Sequence, residues 1–529
     1  MVFPVLINGE WVEADSTDTF HAYNPATGEG LTETYPVSRF SDCERILSAA
    51  ALAADELQRI EPSRIAEFLR GYADRIESNR EVLAKIAAEE TGLPESPRLR
   101  DVELPRTINQ LRQAATAAET HSWSLPTIDS ANNIRSVHAA IGPVLVIGPN
   151  NFPFAFNGVS GGDFAAAIAA GNPVIAKAHP AHPATCRMLA ELALDAVIAT
   201  GLPKATVQML YRTTHDDGLK MIRDPRLAAV GFTGSRNAGL AIKAACDELG
   251  KPVYLEMSSI NPVVILPGAI AERSDSIVSE FCTSCTMGAG QFCTNPGFMI
   301  LIDDEKSRTF VSEVARLLGE SKPGTLLTEG VLKSLAVSVQ MMVDAGSQLL
   351  TGGKRADRAG FAFENTALLT SGNDFLNDPF AFQTEMFGAA TLFVMAADVD
   401  QAERIIATLE GNLTGTFYVA NDGMDQSTLD RLQPRLRQRV GRLIFNRMPT
   451  GVAVSPAMNH GGPFPSTGHP GFTSVGMPAS IRRFSMLQCF DAVSEDALPP
   501  ILLNANAFNA WRFVDGDWSQ QDVIVGAKG

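Results

Sequence analysis

Residues Gly290-Gln291-Phe292-Cys293-Thr294-Asn295-Pro296-Gly297 set one cysteine in a short, polar, glycine-flanked loop before an apolar strand, Phe298 to Ile302. A thiol on a turn, with backbone N–H groups near it and little bulk around it, suits a nucleophile. Upstream, Glu256 ends the apolar run Pro252-Val253-Tyr254-Leu255. At the mouth of a crevice such a carboxylate would be partly buried, with a raised pKa, and would serve as general base. Asn151 follows a strand, Val144 to Ile147, within Gly148-Pro149-Asn150-Asn151-Phe152-Pro153. Its amide can donate to a developing oxyanion. Each has a plainer reading: an inert buried cysteine, a solvated strand-end carboxylate, a turn-stabilising asparagine. Thiol, carboxylate and amide, each at a strand end, together make a catalytic set.

Other motifs carry less. Cys282-Thr283-Ser284-Cys285 is a C-x-x-C, but it lies inside a helical-looking run from Ser274 to Met287. With no second C-x-x-C and no H-x-x-x-H, two core cysteines are the better reading, and no metal site is expected. Gly231-Phe232-Thr233-Gly234-Ser235-Arg236-Asn237-Ala238-Gly239 follows a strand and opens a helix. Glycine there admits a phosphate to a helix N-terminus, although the strict G-x-G-x-x-G is absent. Lys177 ends the run Pro173 to Ala176; it is either a ribose or phosphate ligand or an ordinary surface lysine.

The elements that must position these residues alternate. The segment Leu6 to Glu29 reads as two or three short strands with turns at Asn8-Gly9 and Asn24-Pro25. Ser41 and Glu44 have capping-box spacing before Ile46, Leu47 and Ala50. Ile65, Phe68, Leu69, Tyr72 and Ile76 recur at helical spacing. From about Gly142, strands at 144–147, 173–176, 228–232, 253–255 and 263–266 alternate with helices at 165–170, 186–199 and 237–249. That pattern predicts a parallel α/β sheet, with ligands off the carboxyl ends of its strands. Asn151, Lys177, Gly234 and Glu256 fall at such ends. A second α/β region runs from about Asn261 to Met458, followed by a tail rich in glycine and proline between 461 and 478.

The 529 residues allow two to four domains. A hydrophobic content of 45% with 19% charged residues fits a large packed core rather than disorder. A net charge of −16 argues against nonspecific binding to nucleic acid or anionic membrane. No apolar run reaches membrane-spanning length, and no signal peptide is visible. Seven scattered cysteines do not form a disulfide framework, which favours a reducing cytoplasm.

Taken in order, Asn151, Lys177, Gly-Phe-Thr-Gly-Ser at 231–235, Glu256, Cys293 and Glu385-Met386-Phe387-Gly388 resemble the aldehyde dehydrogenase superfamily across nearly the whole chain. The resemblance implies a Rossmann-type cofactor domain (1–125 and 145–258), an α/β catalytic domain (259–460) and β oligomerisation elements (126–144 and 480–529). Cys293 then resembles the nucleophile, Asn151 the oxyanion donor and Glu256 the base that activates water. Lys177 and Glu385 resemble the residues that hold the cofactor riboses. Phe387 resembles the residue beside the nicotinamide ribose, and Gly234 and Ser235 the pyrophosphate site. The implied reaction is NAD(P)⁺-dependent oxidation of an aldehyde to an acid through a cysteine thiohemiacetal and thioester.

Departures narrow the subgroup. Asn150 replaces the usual Trp, Met257-Ser258-Ser259 the usual Leu-Gly-Gly, and Ala389 the usual Pro. Ala178-His179-Pro180 follows Lys177 where NAD-preferring members often carry an acid, so NADP⁺ is expected, with NAD⁺ open and Arg212 as a phosphate partner. With Met458-Asn459-His460-Gly461-Gly462-Pro463-Phe464-Pro465, these features are similar to the α-ketoglutaric semialdehyde (2,5-dioxopentanoate) dehydrogenase group. NADP-dependent fatty-aldehyde dehydrogenases of luminous bacteria share them. Phe152 and Phe464 would line the substrate entrance; Arg442 and Arg447 are candidates for the cation that a carboxylate substrate needs. A homodimer or homotetramer is implied. A cofactor-free cysteine hydrolase is the competing class, disfavoured because no histidine stands near a comparable motif.

Overall fold

The computed structural model describes residues 2–524, so residue 1 and residues 525–529 of the terminal ranges above lie outside the described residues. Two seven-stranded sheets organise the chain. In the first, the strands Val253–Glu256, Ala229–Thr233, Val144–Ile147, Val174–Lys177 and Val207–Leu210 lie side by side and parallel. Val5–Ile7 and Glu10–Val12 extend it antiparallel, joined by a turn in which Asn8 and Gly9 have φ of 50° and 75°. Helices cover the sheet, so Val144, Val174, Val207, Val230 and Val253 are all buried. This two-sided burial is why these strands read as continuous apolar runs.

Chain order reverses between Val144–Ile147 and Ala229–Thr233, neighbours that diverge to opposite sides of the sheet. A crevice opens at such a point, off the carboxyl ends. Asn151 follows the first strand; Gly234 and Ser235 follow the second.

The second sheet runs Gln348–Thr351, Thr366–Ser371, Ala390–Ala396, Phe298–Ile302, Pro262–Ile265, Asn412–Tyr418 and Val440–Phe445, parallel except for its first pair. Only residues 257–261 join the two sheets. That junction is pinned: Asn412 Oδ1 accepts hydrogen bonds from the N–H groups of Ile260 (2.9 Å) and Asn261 (3.2 Å) and from Ser259 Oγ (3.1 Å).

A third, five-stranded sheet pairs Ser485–Asp491 with Ile134–Ala140, then Thr127–Asp129, Arg512–Val514 and Asp517–Ser519. Ser485–Asp491 is an edge strand and exposes Met486 and Leu487. The end of the chain, from Ser485 to Ser519, thus supplies three of its strands.

The capping box at Ser41 and Glu44 does not form. The helix Phe40–Leu57 begins a residue earlier, after Arg39, with no side-chain cap. Ser41 Oγ donates instead to Asp15 (2.6 Å), and Glu44 pairs with Arg226 (2.7 Å). Distant partners outcompete the local cap, which is worth only about 1 kcal/mol. Cys285 is buried and Cys282 half-buried on the helix Pro267–Thr286, both in apolar surroundings. Among the described residues, no helix is long and apolar enough to cross a membrane.

Candidate active site

Cys293 lies in the loop between the turn Met287–Gly290 and the strand Phe298–Ile302. Side chains on three sides hold this loop. Asn261 Nδ2 donates to the carbonyls of Cys293 and Asn295, each at 2.9 Å. Gln291 donates to the carbonyls of Gly288 and Thr325 and accepts from Leu327 N–H. Gly290, at φ 72°, presses on Gly388; a Cβ there would lie 2.1 Å from the Gly388 carbonyl carbon. The nucleophile loop therefore rests directly on the segment that carries Glu385 and Phe387.

Asn151 Nδ2 donates to Gln291 O at 2.9 Å, which aims the amide at the loop and leaves its second N–H. The Cys293 backbone N–H has no partner among the described residues. Glu256, 4% exposed, ends its strand facing the thiol.

Between them stands His460, 2% exposed. Its Nε2 lies 2.9 Å from Glu256 Oε1 and 3.4 Å from Cys293 Sγ. Ser474 Oγ donates to the other carboxylate oxygen at 3.1 Å. The reactive atoms of Glu256, Cys293 and His460 all fall within 4.8 Å of one another. The sequence shows no histidine near a comparable motif, yet the fold brings His460 to the thiol from 167 residues away. His460 comes from the glycine- and proline-rich tail; its only signal was its setting in Asn459-His460-Gly461-Gly462.

The electrostatics are those of a resting pair. Burial pushes the Cys293 thiol well up, and the Glu256 charge pushes it further, while Arg106 opposes both. Burial also acts to raise Glu256, but His460, the thiol and Ser474 together outweigh it and hold the carboxyl below its usual range. The expectation of a raised pKa at Glu256 is therefore corrected, because a buried imidazole faces it.

A crevice of about 1290 Å³ reaches from this cluster along the carboxyl ends of the first sheet. Asn151, Glu256 and Cys293 line its inner end. His179, Pro180, Arg212, Gly234 and Ser235 line its length, and Glu385 and Phe387 its opposite wall. Ser235 caps the helix Arg236–Asp247 by accepting from Ala238 N–H, and the first turn of that helix, Arg236 and Asn237, lines the crevice with it. A Cβ at Gly234 would meet the Phe232 ring at 2.7 Å.

His179 Nδ1 accepts from Ala181 N–H (3.1 Å), so its proton sits on Nε2. Burial, with His182 and Lys177 beside it, keeps the ring neutral. Glu90 fixes the next helix by accepting from the N–H groups of Ala184 and Thr185, both at 2.8 Å. Lys177 ends its strand behind this wall; burial, then the Arg212 charge, lowers its ammonium to about 8. Glu385 is raised to about 7, first by burial. A dinucleotide fits this donor set: a helix N-terminus and Arg212 for phosphate, and the Glu385 carboxylate for hydroxyls.

Phe152 lies in an apolar cluster with Phe156, Phe292 and Val475 beside the nucleophile loop. Phe464 does not join it. It is 54% exposed and stands by Arg236, whose guanidinium carbon is 5.8 Å from its ring. Arg442 spends its guanidinium on the carbonyls of Pro449 and Gly451, and Arg447 is exposed. Two arginines without a sequence signal, Arg98 and Arg106, instead flank the Phe152 cluster.

A doubly wound sheet with a dinucleotide-sized crevice, ending at an amide, a thiol and a carboxylate, defines a class that comparison bears out. The pattern of the aldehyde dehydrogenase family matches residues 11–484, and the chain belongs to that family. It is an oxidoreductase acting on aldehydes. Among its relatives, the chain is 37% identical to alpha-ketoglutaric semialdehyde dehydrogenase 2 of Azospirillum brasilense, over 97% of this chain and 98% of that one. It is 32% identical to alpha-ketoglutaric semialdehyde dehydrogenase of Acinetobacter baylyi, over 97% and 98%. Its fold superposes on the NAD⁺ complex of aldehyde dehydrogenase from Bacillus cereus with a TM-score of 0.80, at 20% identity, over 93% and 97%.

Proposed function

We propose that this chain oxidises α-ketoglutaric semialdehyde to 2-oxoglutarate, with NADP⁺ as the preferred oxidant and NAD⁺ as the second choice. The observation that carries the chemistry is His460 Nε2 set between Glu256 and Cys293 at the end of a dinucleotide-sized crevice. Similarity to the two semialdehyde dehydrogenases supports the substrate. Arg212 and the neutral His179, with no acid after Lys177, support NADP⁺.

The mechanism follows from the atoms present. Cys293 Sγ adds to the aldehyde carbon, and its proton passes to the Glu256–His460 pair. This transfer is needed because the resting thiol is protonated. The carbonyl oxygen becomes an alkoxide, which Asn151 Nδ2 and the Cys293 N–H receive. When bound, the nicotinamide cofactor supplies the hydride acceptor that takes the tetrahedral adduct to the thioester. The pair releases its first proton to solvent, and Glu256, with His460 behind it, then removes a proton from the water that attacks the thioester carbon and passes it to the departing Cys293 sulfur. The C–S bond breaks, the acid leaves and Cys293 is restored. Lys177 and Glu385 would hold the riboses, Phe387 would pack by the nicotinamide end, and Gly234 and Ser235 would receive the pyrophosphate.

In this reading, residues 1–125 and 145–258 bind cofactor, and 259–460 supply the nucleophile. The exposed edge Ser485–Asp491 pairs subunits into a homodimer or homotetramer. The seven free cysteines suit a reducing cytoplasm.

The test mixes pure protein with α-ketoglutaric semialdehyde and follows reduced cofactor with NADP⁺ and NAD⁺ in parallel, for wild type and Cys293→Ala. Turnover that the variant loses supports the mechanism, and the faster cofactor decides the preference. Turnover of a long-chain aldehyde instead would overturn the substrate and leave the mechanism. No reduced cofactor from any aldehyde would return the hydrolase reading.

A further inference from the structure

The side chains at the inner end of the crevice have a second chemistry as ligands. Glu256, Cys293 and His460 each offer one ligand atom, and these atoms lie within 4.8 Å of one another. Among the described residues, no other histidine, cysteine, aspartate and glutamate side chains converge in this way. The sequence shows no metal motif here, because His460 stands 167 residues from Cys293 and 204 from Glu256.

The spacing suits a small tetrahedral ion. Bonds of about 2.3 Å to sulfur and about 2.0–2.1 Å to nitrogen and oxygen put neighbouring ligand atoms about 3.3–3.6 Å apart. His460 Nε2 lies 3.4 Å from Cys293 Sγ and 2.9 Å from Glu256 Oε1, so small side-chain movements close the set on one ion. The ligands are also held from behind. Ser474 Oγ donates to Glu256 Oε2 at 3.1 Å and leaves Oε1 toward the histidine. The His460 N–H donates to Thr473 Oγ1 at 2.8 Å, and Asn261 Nδ2 donates to the Cys293 carbonyl at 2.9 Å. Supporting bonds of this kind fix the orientation of metal ligands.

Charge balances as well. A thiolate and a carboxylate cancel a buried dication, and a neutral imidazole adds no charge. Cys293 and Glu256 line the crevice, which gives the ion an entry path and leaves a fourth position for water. Sulfur and nitrogen beside a single carboxylate favour zinc over magnesium or calcium, which take oxygen ligands.

We propose that Cys293, His460 and Glu256 form a zinc site: Zn²⁺ binds Sγ, Nε2 and Oε1, the thiol proton leaves to solvent, and water completes the shell. This goes beyond the dehydrogenase reading and does not depend on it. Where that reading holds, zinc is a reversible stop, because it occupies nucleophile and base at once.

The test titrates the whole protein, reduced with a phosphine and freed of metal, with Co²⁺ as a spectroscopic stand-in for Zn²⁺. No aldehyde or cofactor is present. One equivalent should give the visible bands of a tetrahedral cobalt centre and a thiolate-to-cobalt charge-transfer band, and Zn²⁺ should displace it. Cys293→Ala should lose the charge-transfer band. Glu256→Gln and His460→Ala should each weaken Zn²⁺ binding by about 10-fold or more. Cys489→Ser, which removes the exposed thiol, should leave the band unchanged. A wild-type arm survives if the variants fail to fold: Zn²⁺ should block alkylation of Cys293 by iodoacetamide, and EDTA should restore it. A band that persists in Cys293→Ala would overturn the proposal by placing the metal elsewhere. Unchanged affinity in both Glu256→Gln and His460→Ala would reduce the site to a lone thiol and overturn it too. So would alkylation that ignores Zn²⁺. No arm reads turnover, so a failed zinc site leaves the dehydrogenase standing, and a failed dehydrogenase leaves the zinc site.

Discussion

His460 meets Glu256 at 2.9 Å through the same ring nitrogen that faces the nucleophilic sulfur. In the proposed mechanism, the carboxylate that activates water and the thiol that holds the acyl group therefore share one proton carrier.

Removing that carrier tests both half-reactions. In His460→Ala, Glu256 loses the main group opposing its burial, so its pKa rises. Steady-state turnover should fall by about 100-fold. Rapid mixing should show a slowed first turnover as well, because the same pair takes the thiol proton. A burst of reduced cofactor at the wild-type rate would confine His460 to the water step.

The thiol should report its neighbours. Burial and Glu256 raise it, and Arg106 lowers it. Alkylation of Cys293 by iodoacetamide follows the thiolate, so its rate should climb with pH through a midpoint above the ordinary thiol value of about 8.5. Glu256→Gln removes a like charge and should move the midpoint down. Arg106→Met should move it up.

In the proposed reading, Glu385 makes cofactor affinity depend on pH. Burial raises its carboxyl to about 7, and only the ionised form would accept from two ribose hydroxyls. The cofactor KM should therefore fall as pH rises through about 7. In Glu385→Gln the KM should be higher and its pH dependence flat.

In the proposed reading, Arg212 sets the cofactor phosphate preference. Arg212→Ala should cut kcat/KM for NADP⁺ relative to NAD⁺ by about tenfold, the worth of one exposed charge-assisted contact. An unchanged ratio would leave Arg212 a surface residue over Phe20.

The loop under the nucleophile tolerates no side chain at Gly290. Gly290→Ala combines a left-handed φ with a collision against Gly388, and should cost roughly 2 kcal/mol or more. Thermal unfolding would show the loss, and slower alkylation of Cys293 would show the loop displaced.

Legibility in the sequence followed range. Asn151, Gly234 and Glu256 were readable because a parallel α/β fold brings the carboxyl ends of its strands to one crevice. Val144–Ile147 and Phe298–Ile302 were readable as unbroken apolar runs. His460 was not, because 204 residues separate it from Glu256 and its own segment has no period. Arg98 and Arg106 read as ordinary polar positions of a helical stretch; only the packing of that stretch on Phe152 gives them meaning. Ser41 failed the other way: a local signal was present, and Asp15 captured the hydroxyl.

The five residues between the sheets carry a last consequence. Asn412 ties them down from the second sheet, and they connect the strand of Glu256 to the strand beside the Cys293 loop. Asn412 thereby ties the position of Glu256 to that of the Cys293 loop. In the proposed reaction, water and hydride acceptor must reach the same carbon in turn, and this tether keeps base and nucleophile in register while the ligands exchange.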